Sequence, residues 1–446
     1  MQKDLFKYAA NPNEAENTFH DFCKEYKNNH HKDFIANKEY HSFLKIFGNT
    51  RFLTQFIINN TWTFEQYQNS PFREKEKPFE QFVLDIKNIT KTHAQPTTAL
   101  KKYKYQEFIR ITIKELLGYD QRQTYREISH LAYAIVPYYL TTNVHNLCQK
   151  YSLDNSKLGD FALMALGKLG GYELNYSSDI DLIGLYSEDK EQNTVSNHQF
   201  FNQLFSQTGR DLALTDRDGF FFRVDWDLRP EGRSGVLANS ISAMERYYQT
   251  FGEEWERQAY IKASVLYHKQ NLGDELIQML KPFVYRKYFD EKTIHNIWNM
   301  RARMTQERQN AGAEGISIKL DDGGIRDIEF FIQGFQLLYG GKITALQNTN
   351  TLEALDLLAQ HSLINTQTKN TLLQSYLFLR RIETCLQMEN EQQTHILKTC
   401  LHHKLKVARR MGITHDVTEA IAILEERLFN VRNAVTRIFK DFYTLQ

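Results

Sequence analysis

Residues 167–182 place a glycine-rich turn before a strand that opens with two aspartates, and this arrangement constrains the fold more than any other stretch. The turn reads Gly-Lys-Leu-Gly-Gly and follows a short apolar run at 161–166. Asp179 and Asp181 then open the next apolar run. Side chains at positions i and i+2 of a strand point to the same face. We therefore expect both carboxylates to project together beside the turn.

Three apolar runs in the middle of the chain have the length and composition of strands. They cover residues 161–166, 180–186 and 219–230, and the last is aromatic, β-branched and closed by a proline. Short runs of this composition favour strands, whereas residues 197–214 between them have helical periodicity. We therefore predict a small mixed α/β domain at about residues 151–270.

The regions on either side have helical patterns. Apolar residues recur at three- and four-residue spacing in stripes that end at Leu117, Leu386 and Ile438, as on amphipathic helices. A chain of 446 residues is long enough for two or three domains. We predict an α+β fold that is mostly α overall, with an N-terminal helical region at 1–150, the α/β core at 151–270, a helical connection with a glycine turn at 271–341, and a C-terminal helical bundle at 342–446.

Composition disfavours several classes of partner. Lys and Arg number 55 and Asp and Glu 54, for a net charge of +1, whereas nucleic-acid enzymes usually present a strongly basic face. The four scattered cysteines form no CxxC or zinc spacing, which indicates a reduced, cytoplasmic protein. The start of the chain has no signal-peptide core, and no apolar stretch reaches about 18 residues. We expect neither nucleic acid nor membrane as a partner.

The aspartates fit the metal chemistry of nucleotidyl transfer. Such a reaction uses two hard cations about 4 Å apart to neutralise phosphoryl charge and assist the leaving group, and Mg²⁺ or Mn²⁺ prefers carboxylate oxygens. Asp179 and Asp181 supply two ligands, and Asp225 in the third apolar run supplies a third from a neighbouring strand. Asp227 shares its face, as an additional ligand or as a charge at the rim.

A second set of residues is suited to bind phosphate. Glycines let the backbone approach phosphate oxygens closely, and their N–H groups form an anion-binding turn. A lysine in the turn can reach a phosphate, a serine can cap the turn or donate to it, and an arginine after the third strand can clamp a phosphate in bidentate fashion. The residues expected to bind the nucleotide's phosphates are Gly167, Lys168, Gly170, Gly171, Ser178 and Arg229.

A further glycine turn at 321–329 precedes an apolar helical segment. It can bring Arg326 or Asp327 to the site. Ordinary acids in the first turn of a helix explain Asp327 and Glu329 about equally well.

Several motifs resemble one family. They are G-K-L-G-G-x-E-L-N-x-x-S-D-I-D-L at 167–182, R-V-D-x-x-L-R-P at 223–230, E-R-Y-Y-Q-T-F-G at 245–252, P-F-V-Y-R-K-Y at 282–288 and G-G-I-R-D-I-E-F at 323–330. Together they resemble the bacterial glutamine synthetase adenylyltransferase/adenylyl-removing enzymes, which carry two nucleotidyltransferase domains of the DNA polymerase β superfamily. The resemblance implies such a domain flanked by helical regions.

The segments at 245–257 and 282–288 resemble the N-terminal, adenylyl-removing half of that family. This implies metal-dependent phosphorolysis that removes AMP from a tyrosine of glutamine synthetase and releases ADP, with Arg229 or Lys168 holding the phosphate. It also implies glutamine synthetase, phosphate, ADP and a PII-type signal protein as partners. One departure is Asp227, where family members usually carry arginine.

Three other functions stay open on the sequence. The first is the opposite half-reaction, adenylylation of glutamine synthetase with ATP, which the segments around Tyr247 and Tyr285 disfavour. The second is a non-catalytic regulatory or docking module of the same fold, which three intact aspartates disfavour. The third is a polymerase-like enzyme, disfavoured by the neutral charge and the lack of interleaved basic and aromatic residues. Also open are the choice between Mg²⁺ and Mn²⁺, the effector sites, and whether the chain is a natural single-half enzyme.

Overall fold

The structure is a computed structural model that describes residues 6–34, 40–192, 195–287, 291–310 and 314–444. An N-terminal group of helices precedes the main sheet. Its members are α1 (Pro12–His30), α2 (His41–Leu44), α3 (Arg51–Asn59), α4 (Thr63–Asn69), α5 (Phe79–Thr92), α6 (Pro96–Leu116) and α7 (Gln121–Lys150).

The middle of the chain alternates short strands with helices. In order these are β1 (Phe161–Ala165), α8 (Gly167–Gly170), β2 (Ile180–Tyr186), β3 (Glu191–Gln192), β4 (Val195–Ser196), α9 (Asn197–Ala213), β5 (Val224–Asp225), β6 (Ala238–Ser240), α10 (Ile241–Thr250), α11 (Glu254–Tyr260) and β7 (Ser264–His268). Strand β2 is central in the main sheet: it pairs antiparallel with β1 and parallel with β5 and β6, and β1 pairs antiparallel with β7.

The remainder is mostly helical. It comprises α12 (Leu272–Val284), α13 (Glu291–Asn310), β8 (Ile316–Ser317), α14 (Ile325–Tyr339), α15 (Thr351–Gln360), α16 (Thr366–Gln387), β9 (Ile396–Leu397), α17 (Leu401–Arg410) and α18 (Val417–Thr444). The two-residue strands β8 and β9 pair antiparallel and close the loop after α16 onto the loop before α14.

The main sheet lies between two hydrophobic cores. Phe161 and Leu163 of β1 pack in one core with the N-terminal helices, whereas Ala162 and Met164 pack in the other with α12 and α14. This division follows from the alternation of side chains along a strand. The strand is buried on both faces, which explains its continuous apolar sequence.

The predicted α+β fold, mostly helical overall, is confirmed. Strand β2 covers the predicted residues, and α9 the predicted helix. A strand over all of 219–230 is wrong, because only Val224 and Asp225 form a strand of the sheet. The aromatic residues before them are held differently: Phe221 and Phe222 are buried, and both donate their N–H groups to the carbonyl of Leu212.

Two further expectations concern the whole chain. Within the described residues, no helix is both long enough and apolar enough to cross a membrane. The division into regions at residues 150, 270 and 341 stays a prediction.

Candidate active site

Two of the three predicted aspartates lie side by side on neighbouring strands. In the parallel pairing of β2 with β5, Asp181 is directly opposite Asp225. Burial, and then the like charge of Asp225, raise the pKa of Asp181 to about 6. An acid pair of this kind holds a proton or a cation more readily than an isolated carboxylate.

The third aspartate, Asp179, lies just before β2 and is bound to other side chains. Its Oδ1 accepts a hydrogen bond from Arg223 Nε at 2.7 Å, and its Oδ2 accepts one from Gln393 Nε2 at 2.8 Å. Arg223 also donates to the hydroxyl of Ser177 at 3.0 Å. Asp179 therefore faces a guanidinium and an amide.

Gly167 allows the closest backbone approach in the site. It has a φ of +54°, and a Cβ built there would lie 2.1 Å from Asp181 Oδ2. Any larger residue would combine an unfavourable backbone conformation with a clash against a carboxylate. The first glycine of the turn is thus required where the chain passes Asp181.

A cavity of about 370 Å³ opens beside these carboxylates. One side is polar and comes from the glycine turn and the edge of the sheet, including Ser178. The loop after β5 and helices α11, α13 and α14 add apolar side chains, namely Leu228, Trp255, Met300, Met304 and Phe330. A pocket lined by both charged and apolar groups suits a ligand that has a phosphate and an aromatic ring.

Four cationic side chains line the same cavity, and two of them are paired with buried carboxylates. Lys168 Nζ lies 2.7 Å from Glu383 Oε1. Lys262 Nζ lies 2.5 Å from Glu173 Oε2. These two lysines are therefore neutralised by the protein itself.

The other two cations, Lys319 and Arg326, have no comparable partner. Within the described residues, the ammonium of Lys319 makes no hydrogen bond or ion pair, and its pKa is lowered to about 8 by burial and by the charge of Arg326. Arg326 lies 3.8 Å from Glu329, and its Nε is buried without a hydrogen-bond partner.

The predicted phosphate-binding residues divide into two groups. Gly167, Lys168 and Ser178 line the cavity. Gly170 and Gly171 do not, because they are packed against backbone: a Cβ on Gly170 would lie 1.9 Å from the carbonyl of Lys262, and one on Gly171 would lie 2.9 Å from that of Thr349. These two glycines let the turn pack tightly.

Arg229 is not brought to the cavity, contrary to the prediction of a phosphate clamp. Its guanidinium donates to the carbonyls of Trp226, Arg233 and Gly235, so it fastens its own loop. Asp227 lies outside the cavity lining as well, and its carboxylate pairs with Arg233 at 2.7 Å. The loop after β5 is thus stabilised internally.

Three residues of the cavity lining, Lys319, Lys262 and Glu383, were not predicted as site residues from the sequence. Lys319 stands two residues before Asp321, at the start of the second glycine turn. A basic residue at the entry to a glycine turn is the sequence feature from which its place in the site could have been predicted. Of the residues singled out there, Arg326 lines the cavity, whereas Asp327 is buried in an ion pair with Arg301 at 2.6 Å.

The acid pair has the donor atoms of a site for one divalent cation. Among the described residues, no three His, Cys, Asp or Glu side chains converge closely enough to surround an ion. Asp181 and Asp225 supply adjacent carboxylates, the ligand type that Mg²⁺ and Mn²⁺ prefer, and the pKa of Asp181 is raised by burial and then by the like charge of Asp225, which a cation would offset. The pair fits a divalent cation, and Asp179 joins it only on leaving Arg223.

The fold and the site define a nucleotidyltransferase. Residues 40–279, more than half of the chain, match the family model described as glutamate-ammonia ligase adenylyltransferase. The chain belongs to this family. Residues 298–443 match a second model, GlnD PII-uridylyltransferase.

Curated relatives carry the name bifunctional glutamine synthetase adenylyltransferase/adenylyl-removing enzyme. One from Nitrosococcus oceani is 37% identical over 363 residues, which cover 79% of this chain and 37% of the relative. One from Hahella chejuensis is 38% identical over 321 residues, covering 70% and 33%. One from Shewanella loihica is 34% identical over 405 residues, covering 89% and 42%. The chain thus spans roughly two-fifths or less of the length of these relatives.

Proposed function

We propose that this chain removes AMP from an adenylylated tyrosine of glutamine synthetase by phosphorolysis and releases ADP. Substrate and reaction type are supported by the names of the relatives and by the resemblance to the adenylyl-removing half. Tyr288, the last residue of one supporting motif, lies outside the described residues.

The position of α11 is the observation that supports the adenylyl-removing reaction over adenylylation. This helix holds the Trp-Glu-Arg segment, and its Trp255 lines the cavity. Arg257 of the same segment is buried and donates to the carbonyls of Phe283 and Val284 at 2.8 and 3.1 Å. The two segments that resemble the adenylyl-removing half therefore pack together, and the first of them contributes Trp255 to the cavity lining.

The reaction balances without a further reactant. An oxygen of hydrogen phosphate attacks the phosphorus of the adenylyl group, and the bond between that phosphorus and the tyrosine oxygen breaks. The electron pair stays on the tyrosine oxygen, which receives the proton that the hydrogen phosphate brought. The products are ADP and unmodified tyrosine.

The chain's residues have distinct parts in this reaction. Asp181 and Asp225 would hold Mg²⁺ or Mn²⁺, which when bound neutralises phosphoryl charge and assists the leaving oxygen. Gly167 lets the substrate's phosphate approach the acid pair. The apolar side chains around Trp255 would limit the access of water, which competes with phosphate as the nucleophile.

A product analysis tests this function. Adenylylated glutamine synthetase is incubated with the chain and Mg²⁺, with and without phosphate, and ADP and AMP are separated. We expect ADP only with phosphate, and none from Asp181→Asn, whereas Asp227→Asn, which changes a carboxylate outside the cavity, retains activity. Release of AMP alone would show hydrolysis and refute phosphorolysis.

The description of the matched family names adenylyl transfer, so the opposite reaction is the second candidate. Incubation of unmodified glutamine synthetase with labelled ATP tests it. Labelling of the synthetase without any ADP formation in the first assay would favour the second candidate.

The proposal also includes a protein partner and a cellular location. The match of the C-terminal helices to a PII-uridylyltransferase model supports a PII-type signal protein as a partner of that region. The four cysteines are free thiols, which is compatible with the cytoplasmic location that we expect.

A further inference from the structure

Lys319 and Arg326 are held side by side by the backbone. The N–H of Arg326 donates to the carbonyl of Lys319 at 3.1 Å, and the N–H of Ile325 donates to that of Ile318 at 3.0 Å. Gly323, with a φ of +73°, lets the chain reverse between them. Both side chains line the cavity that contains the acid pair.

The turn that carries the two cations is braced from α13. Arg301 pairs with Asp327 at 2.6 Å, and Asp327 accepts the N–H of Gly323 at 2.7 Å. Arg308 pairs with Asp321, which accepts the N–H of Ser317 at 2.8 Å. Asp321 and Asp327 are thus used to support the turn itself, and neither of them pairs with Lys319; Glu329 lines the cavity and acts on Lys319 without contacting it.

Lys319 and Arg326 differ from the other two cations of the cavity in having, among the described residues, no carboxylate within hydrogen-bonding distance, although Glu329, Glu383 and Asp181 act on them at longer range. Lys168 and Lys262 each have a buried carboxylate within 2.7 Å, but Lys319 has none in the described part of the chain and Arg326 only a loose contact. Two like charges held together in a partly buried site repel each other unless an anion lies between them. The arrangement is therefore built for a ligand with several anionic oxygens.

We infer that Lys319 and Arg326 bind the inorganic phosphate that attacks the adenylyl group. The guanidinium offers a planar pair of donors to two phosphate oxygens, and the ammonium offers a point charge to a third. The same place then receives the β-phosphate of the ADP formed. This assignment rests on the proposed function and replaces Arg229, which fastens its own loop.

Steady-state kinetics at varied phosphate test the assignment. For Lys319→Gln and Arg326→Gln we expect the KM for phosphate to rise roughly ten- to a hundredfold, the loss typical of one charge-assisted contact. The KM for adenylylated glutamine synthetase should change little. The matched control is Lys342→Gln, an exposed lysine just after α14, which should leave both constants unchanged.

Binding of inorganic phosphate alone supplies a second measurement that does not depend on catalysis. Calorimetric titration with phosphate and Mg²⁺ should give weaker binding for both variants than for the wild type, and titration with AMP should give unchanged binding. An equal loss of affinity for AMP and for phosphate would show that the two cations bind the phosphate of the nucleotide itself, which would overturn the assignment. Lys319→Arg, which keeps the charge, should retain most of the phosphate affinity and guards against a folding defect in Lys319→Gln.

The two hypotheses fail in different ways. Phosphate-dependent ADP formation with an unchanged phosphate KM in both variants would overturn the assignment and leave the proposed function intact. Phosphate binding that depends on Lys319 and Arg326, in a chain that releases only AMP, would refute phosphorolysis and retain the anion site.

Discussion

The carboxylate of Asp179 is bound by Arg223 at 2.7 Å, and this ion pair joins the residue before β2 to the residue before β5. Both side chains are partly exposed, at 26% for Asp179 and 36% for Arg223. Their strands also carry Asp181 and Asp225. A positive charge therefore competes with any cation for the first of the three aspartates.

Replacement of Arg223 should strengthen metal binding. In Arg223→Gln the carboxylate of Asp179 loses its cationic partner, and we expect Mn²⁺ to bind a few-fold more tightly because one positive charge has left the site. Titration with Mn²⁺ followed by electron paramagnetic resonance measures this. Weaker Mn²⁺ binding would instead show that Arg223 holds Asp179 in position as a ligand.

Removal of metal should lower thermal stability through the acid pair. A ligand that binds only the folded state stabilises it, so Mn²⁺ should raise the Tm of the wild type by a few degrees and a chelator should reverse the effect. In Asp181→Asn the Tm should not respond to Mn²⁺, and turnover should fall roughly a hundredfold or more. Differential scanning calorimetry with and without chelator is the measurement, and an undiminished Mn²⁺ response in the variant would contradict it.

Gly167→Ala should impair activity far more than its backbone cost explains. The positive φ alone costs an alanine about 1 kcal/mol, but here the new Cβ would also meet Asp181 Oδ2 at 2.1 Å. Gly412→Ala is a matched control, because Gly412 has a φ of +83° with no atom within 4 Å of the added Cβ.

We expect both glycine variants to lose about 1 kcal/mol of unfolding free energy from strain, with a further loss and a severe drop in turnover only at Gly167. Urea denaturation and the ADP assay measure the two effects. Equal turnover in the two variants would show that the backbone does not need to approach Asp181.

The affinity for phosphate should depend on pH through Lys319. Its pKa is lowered to about 8, so the ammonium is charged below that pH and loses its proton as the pH rises through 8. The KM for phosphate should therefore increase between pH 7.5 and 9. Lys319→Arg should remove this increase, because a guanidinium stays charged throughout the range. An unchanged profile in Lys319→Arg would assign the increase to another group.

The parts of the site that depend on local pattern were predictable, and those that depend on tertiary packing were not. Strand β2 and its aspartates follow from an apolar run bounded by turn residues. The aromatic residues at 220–222 are equally apolar but do not form a strand, and the N–H groups of Phe221 and Phe222 donate to the carbonyl of Leu212 instead. Composition alone does not separate these two outcomes.

Lys319 and Arg229 show the same limit for charged residues. Arg229 is only four residues after Asp225 in the sequence. Its guanidinium nevertheless donates to carbonyls of its own loop and does not reach the cavity. Lys319 is 94 residues beyond Asp225, yet it lines the same cavity because tertiary packing brings the turn before α14 to β2 and β5. Which cation is left without a partner is a property of the assembled molecule.

The cavity walls come from two parts of the chain that match different family models. The three aspartates belong to residues 40–279, whereas Lys319, Arg326 and Glu383 belong to residues 298–443. Sheet and bundle share one hydrophobic core, in which Met164 and Ile183 pack with residues of α14 and α16. A substitution in that shared core, far from the reacting atoms, would therefore change the distance between the acid pair and the cations that face it.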